Sequence, residues 1–123
     1  MHILLVDDDI SSVAALKNLL EHEHILKIAS NGYEALTHFK QKRYDLVVTD
    51  IMMPKMNGIE LLKSIRGLDS KINVIVLTGY PTEKHMEDLE KYNASAFFIK
   101  PLNVEIFMDT LSNMDISHKN RIE

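Results

Sequence analysis

"VVTDIMMPKMNG", residues 47–58, decides how the chain is read. It opens with β-branched apolar residues that leave no position facing water, the pattern of a strand buried on both faces. A carboxylate, Asp50, then stands where the apolar run stops, and Pro54 and Asn57-Gly58 turn the chain towards a helical pattern. Buried strands of this kind belong to parallel sheets covered by helices, where ligands gather outside the carboxyl ends of the strands.

Working outward, similar short aliphatic runs recur at 2–6, 25–29, 45–49, 73–77 and 96–99. Between them lie residues at helical spacing: Ile10, Val13, Ala14, Leu16 and Leu20; Ala35, Leu36 and Phe39; Ile59, Leu62 and Ile65; Met86, Leu89 and Tyr92; and Val104, Phe107, Met108 and Leu111. Asn31 and Asn57 each precede a Gly with a Glu three residues on, and Asn103 opens the last pattern, all entry signals for helices. Strict alternation predicts an α/β fold: a doubly wound, five-stranded parallel sheet with five helices over its two faces.

With 123 residues, 46% hydrophobic and 26% charged, the chain fits one domain over 1–123, with a core at about 2–112 and a last turn plus tail at 113–123. A formal charge of -4 disfavours direct nucleic-acid binding and attachment to an acidic membrane surface, so protein partners are expected. The absence of cysteine excludes disulfides and thiolate metal sites. The apolar part of "MHILLVDDD" is about five residues long, too short for a signal peptide or a membrane span. A cytoplasmic location follows as the expectation.

Chemistry-bearing residues fall just after the strands: Asp7, Asp8 and Asp9 after the first, Asp50 after the third, Thr78 after the fourth, and Lys100 with Pro101 after the fifth. With strand order 2-1-3-4-5, the first and third strands are neighbours about 4.8 Å apart, which would cluster Asp7, Asp8 and Asp50. Such a cluster either raises a carboxyl pKa or selects a divalent cation, Mg2+ or Mn2+ in preference to zinc, because its ligands are oxygens. Asp9 reads as a helix cap. A metal-holding acid cluster, a lone carboxylate, a hydroxyl and a lysine make a plausible phosphoryl-transfer site, with Asp50 as nucleophile.

Those residues, in "LLVDDD", "VVTDIMMPKMNG", "VIVLTGY" and "AFFIKP", resemble the receiver domain of two-component response regulators over about 2–112. The resemblance implies that Asp7 and Asp8 hold the metal, with Asp8 the direct ligand, that Met52 lends its backbone carbonyl, and that Asp50 accepts the phosphoryl group. It implies that Thr78 and Lys100 contact the phosphoryl oxygens, that the Lys100–Pro101 bond is cis, and that Phe97 is the switch aromatic. A sensor histidine kinase or histidine phosphotransfer protein would be the donor. The face of helix four, strand five and helix five would address an effector or output domain.

Phe97 lacks a phenol to solvate, so it is expected to be largely buried. "NASAFF" and "FMDTL" lack the acids and arginine of receivers joined to winged-helix domains, which sets that subfamily aside. Competing functions are an aspartyl-phosphate hydrolase, which wants an acid where Met52 stands; a flavin carrier, whose phosphate three aspartates would repel; and a degenerate receiver acting as scaffold. His22 and His24 around Glu23 lack a third metal ligand and read as a surface turn. The sequence is compatible with a stand-alone regulator or with a fragment of a longer one.

Overall fold

The computed structural model describes the backbone of residues 1–122 and the side chains of 1–115. In chain order it runs β1 (His2–Val6), α1 (Ile10–Leu20), β2 (Ile25–Ala29), α2 (Gly32–Gln41), β3 (Leu46–Asp50), α3 (Gly58–Leu68), β4 (Asn73–Thr78), α4 (Glu83–Lys91), β5 (Ala96–Ile99) and α5 (Val104–Ile122). The five strands form one parallel sheet, as the alternation predicts, and their order is the expected β2-β1-β3-β4-β5.

Side chains on successive strand positions point to opposite faces, and the core divides accordingly. Leu4, Val6, Val47, Val74 and Val76 pack with Ala35 of α2, Leu61, Leu62 and Ile65 of α3 and Leu89 of α4. Ile3, Leu5, Val48, Ile75 and Leu77 pack on the other face with Leu16 and Leu20 of α1 and Phe107 and Leu111 of α5. Every residue of β3 is buried, which explains why its sequence shows no polar alternation before Asp50.

Helix entries are fixed by side-chain acceptors. Asp9 accepts from Ser11 N and Ser12 Oγ, Asn31 from Glu34 N, and Asn103 from Ile106 N. Asn57 and Glu60 close a reciprocal capping box. Each satisfies amides that the first helical turn leaves without partners.

Two spacing-based assignments differ. Ile10 is 85% exposed and Ala14 is exposed, because α1 turns only its Val13, Leu16 and Leu20 side towards the sheet. Met86 is exposed and Tyr92 half-buried, leaving Leu89 as the buried residue of α4. The segment after 112 is also unlike the expected turn and tail, since α5 continues to Ile122. It contains no Gly or Pro, so its polarity alone does not stop the helix. Glu123 lies outside the described residues.

One backbone contact ties the start of α3 to the residue that follows β3. Gly58 N donates to Ile51 O at 2.9 Å, and a Cβ on Gly58 would run into the backbone carbonyl of Asp50 and the Cα of Ile51. Replacing Gly58 with Ala should therefore force β3 and α3 apart, costing about 1–3 kcal/mol. Urea denaturation is the check; a midpoint equal to that of the parent protein would show that the two segments separate freely.

Candidate functional site

Three of the expected residues are buried at the carboxyl edge of the sheet. Asp7, directly after β1, is 3% exposed; Asp50 ends β3 at 8%; Thr78 ends β4 fully buried. Lys100 follows β5 and is half-buried. Adjacency of β1 and β3 brings the first two acids to the same edge, and β4 and β5 supply the hydroxyl and the lysine beside them.

The lysine joins the acids. Its Nζ donates to Asp50 Oδ2 at 2.9 Å and to Asp7 Oδ2 at 3.4 Å. The remaining carboxylate oxygens are held by backbone: Asp9 N donates to Asp7 Oδ1 at 3.0 Å, and Met52 N to Asp50 Oδ1 at 3.3 Å. Lys100 N donates to Thr78 O at 2.8 Å, and Tyr80 N to Thr78 Oγ1 at 3.3 Å. The Lys100–Pro101 peptide is cis, as expected.

Charge balance sets the titration. Burial is the largest influence on Asp7 and, with the nearby charge of Asp50, raises its pKa above the ordinary carboxylate value against the lowering pull of the Asp9 amide and Lys100. Burial also works against the Lys100 charge, but the hydrogen bond and charge of Asp50, with Asp7, outweigh it and raise the lysine's pKa. Lys100 thus remains an ammonium at neutral pH.

Asp8 differs from its neighbours: it is exposed. Among the described residues no three His, Asp or Glu side chains come together to enclose a cation. The expected three-carboxylate cluster is therefore two buried acids bridged by lysine, with the third on the rim. Phe97 packs against the core around α3 and α4 but is half-buried, less than expected, because it lines an open cleft beside α4.

Met52 and Tyr80 flank the site at 61% and 86% exposure. His22 is exposed; the Met1 amine and His24 Nδ1 lie 3.0 Å apart. A separate cleft of about 790 Å3, between the α2–β3 and α3–β4 loops, lies at the opposite pole and shares no residue with the acids. Sequence reasoning missed the backbone supports of the acids and the hydroxyl of Thr49, which donates to Asp50 O at 2.9 Å. Backbone donors carry no side-chain signature, and Thr49 reads simply as a strand residue.

Fold and site define an α/β sheet protein with an acid–lysine centre at the carboxyl edge. The chain matches the family model described as Response regulator receiver domain over residues 3–112. It is 39% identical over 111 residues to the transcriptional regulatory protein ZraR of Klebsiella oxytoca, covering 89% of this chain and 25% of that protein. It is 34% identical over 113 residues to the chemotaxis protein CheY of Halobacterium salinarum, covering 91% of this chain and 94% of that one.

Among solved structures, response regulator protein TrrA from Thermotoga maritima, in complex with Mg(2+)-BeF, is similar with a TM-score of 0.81 at 32% identity, covering 92% of this chain and 97% of that chain. The chain belongs to the response regulator receiver domain family. It spans about a quarter of the length of the ZraR relatives it matches. No helix among the described residues is long and apolar enough to cross a membrane.

The buried Asp7 carboxylate has a testable cost. Its raised pKa means that the folded state holds the proton more tightly than the unfolded state, so stability falls as pH rises from the unfolded value through the folded one. In metal-free buffer Asp7→Asn should raise the melting temperature at pH 7, with the gain shrinking as pH drops below the folded pKa. A melting temperature lowered at pH 7 would contradict a net cost of ionised Asp7.

Proposed function

We propose that the protein is a phosphoacceptor signalling module: Asp50 takes a phosphoryl group from a phosphohistidine of a sensor kinase or phosphotransfer protein, and the modified form changes which protein it binds. The observation that carries this reading is the single Lys100 ammonium bonded to both buried acids at 2.9 and 3.4 Å. An acceptor strand buried throughout holds Asp50 in one place, and membership in the receiver family supports the role.

In the transfer, an Asp50 oxygen forms the new bond to phosphorus while the P–N bond to the donor imidazole breaks, and the imidazole nitrogen takes the electron pair. Lys100 offsets the charge of the transferred oxygens, and Thr78 is the hydroxyl that contacts them. The residues fit Mg2+, which is held by one or two carboxylates and keeps several waters rather than demanding a protein cage. Asp7, Asp8 and Asp50, with the Met52 carbonyl, would hold it. When bound, the cation neutralises charge developing on the phosphoryl oxygens.

A similar solved structure, TrrA, is in complex with Mg(2+)-BeF, which supports Mg2+ as the choice of cation. Mn2+ would serve through the same oxygen ligands. Catalysis is confined to the protein's own modification and its reversal. The position two residues after Asp50, where a hydrolase wants an acid, is Met52.

Phosphorylation adds about -1.5 to -2 charge at neutral pH beside Lys100 and Thr78. Movement of Thr78 and of Phe97 would then alter the α4–β5–α5 face, the surface offered to an effector or an output domain. A cytoplasmic location suits a histidine kinase as donor.

Incubation with Mg2+ and a small acyl phosphate should add one phosphoryl mass to the protein, and chelation of the cation or Asp50→Asn should abolish the gain. Retention of the mass in Asp50→Asn would remove Asp50 as the acceptor. Tyr80 is almost fully exposed beside the site, and its contact there is through its backbone N–H, so Tyr80→Ala should leave the phosphoryl half-life within about twofold of wild type. A half-life shortened about tenfold would show that the ring shields the modified acid from water.

A further inference from the structure

Arg66, in the last turn of α3, spends its guanidinium on backbone oxygens. Nε donates to Tyr92 O at 2.9 Å and Nη2 to Asn93 O at 2.8 Å, while Nη1 donates to Ile72 O at 2.7 Å and Asp69 O at 3.3 Å. It forms no ion pair among the described residues. Tyr92 is the C-cap of α4, and Asn93 follows it in the left-handed region at φ 53°. Carbonyls at a helix end lack intrahelical partners, and a rigid planar fork of donors can satisfy several at once.

The rest of α4 is held less firmly. Its first turn is closed by Thr82 and His85 on each other, bonds internal to that turn. Along its length only Leu89 is buried. A cleft of about 380 Å3 separates it from β5, lined by Met86, Leu89, Ala96 and Phe97 among others.

We propose that Arg66 is a positioning residue that pins the carboxyl end of α4, so that when the Asp50 site is charged the helix turns about this end and its amino end moves. The motion rests on the phosphoacceptor reading; the pin does not. Arg66 thereby decides which part of the α4 surface changes on phosphorylation and which part stays fixed.

Hydrogen–deuterium exchange of the full chain, with and without phosphorylation by acyl phosphate and Mg2+, separates these statements. In the unmodified protein Arg66→Met should speed exchange at 89–95 by about tenfold, the scale of lost charge-assisted bonds, while 82–86 changes by less than about twofold. Arg66→Lys, which keeps the charge but not the fork, should fall between. In wild type, phosphorylation should alter exchange at 79–86 and leave 89–95 within about twofold, whereas in Arg66→Met the response should spread to 89–95.

Wild-type exchange at 89–95 in unmodified Arg66→Met, or acceleration spread evenly along the chain in both variants, would overturn the pin. Phosphorylation altering 89–95 as much as 79–86 in wild type would overturn the turning motion. Failure of wild type to gain a phosphoryl mass would sink the phosphoacceptor reading and, with it, the motion; the unmodified comparison still decides the pin.

Discussion

A single ammonium between two buried carboxylates organises the site. Asp7 and Asp50 come from adjacent strands, and Lys100 reaches both from beyond β4, so one side chain links three of the strand ends. Two acids brought this close without a cation would repel and favour protonation of one of them. With Lys100 present their charge is partly offset, yet burial still raises the pKa of Asp7. The centre is therefore balanced short of full neutrality, an arrangement that leaves scope for a further cation.

Everything that fixes this geometry lies behind it. The sheet supplies register, the two hydrophobic layers pack it against its helices, and backbone amides of Asp9 and Met52 steady the free oxygen of each acid. Gly58 allows α3 to begin against the peptide of Asp50 with no side chain between them. Buried strands and a closely seated helix hold Asp50 in place, whereas α4 on the same face rests on one buried side chain and an open cleft. Tight and loose packing thus fall to neighbouring helices of one layer.

Much of this was legible in the sequence because the signals are local and periodic. Strand–helix alternation, the caps at Asp9, Asn31, Asn57 and Asn103, and the strand-end positions of Asp7, Asp50, Thr78 and Lys100 all appear in the structure. Apolar spacing was less informative about depth: Ile10 and Met86 have the right period but sit where no layer covers them. Asp8 and Phe97 show the same limit, since exposure depends on what the rest of the chain brings near. Arg66 was not legible, because carbonyl partners are common to every residue and leave no mark in the sequence.

The hydroxyl of Thr78 shows what such a site can do mechanically. Its oxygen accepts from Tyr80 N, while its carbonyl holds Lys100 N. One residue is thereby fastened both to the β4–α4 turn and to the strand bearing the lysine. As an acceptor in that bond, the oxygen can still donate its own proton. Under the proposed reading, a new acceptor in the site would be engaged by adding a bond rather than exchanging one, and the turn would be drawn along by the same atom. Signal and displacement would then share a single oxygen, with no lever arm needed between them.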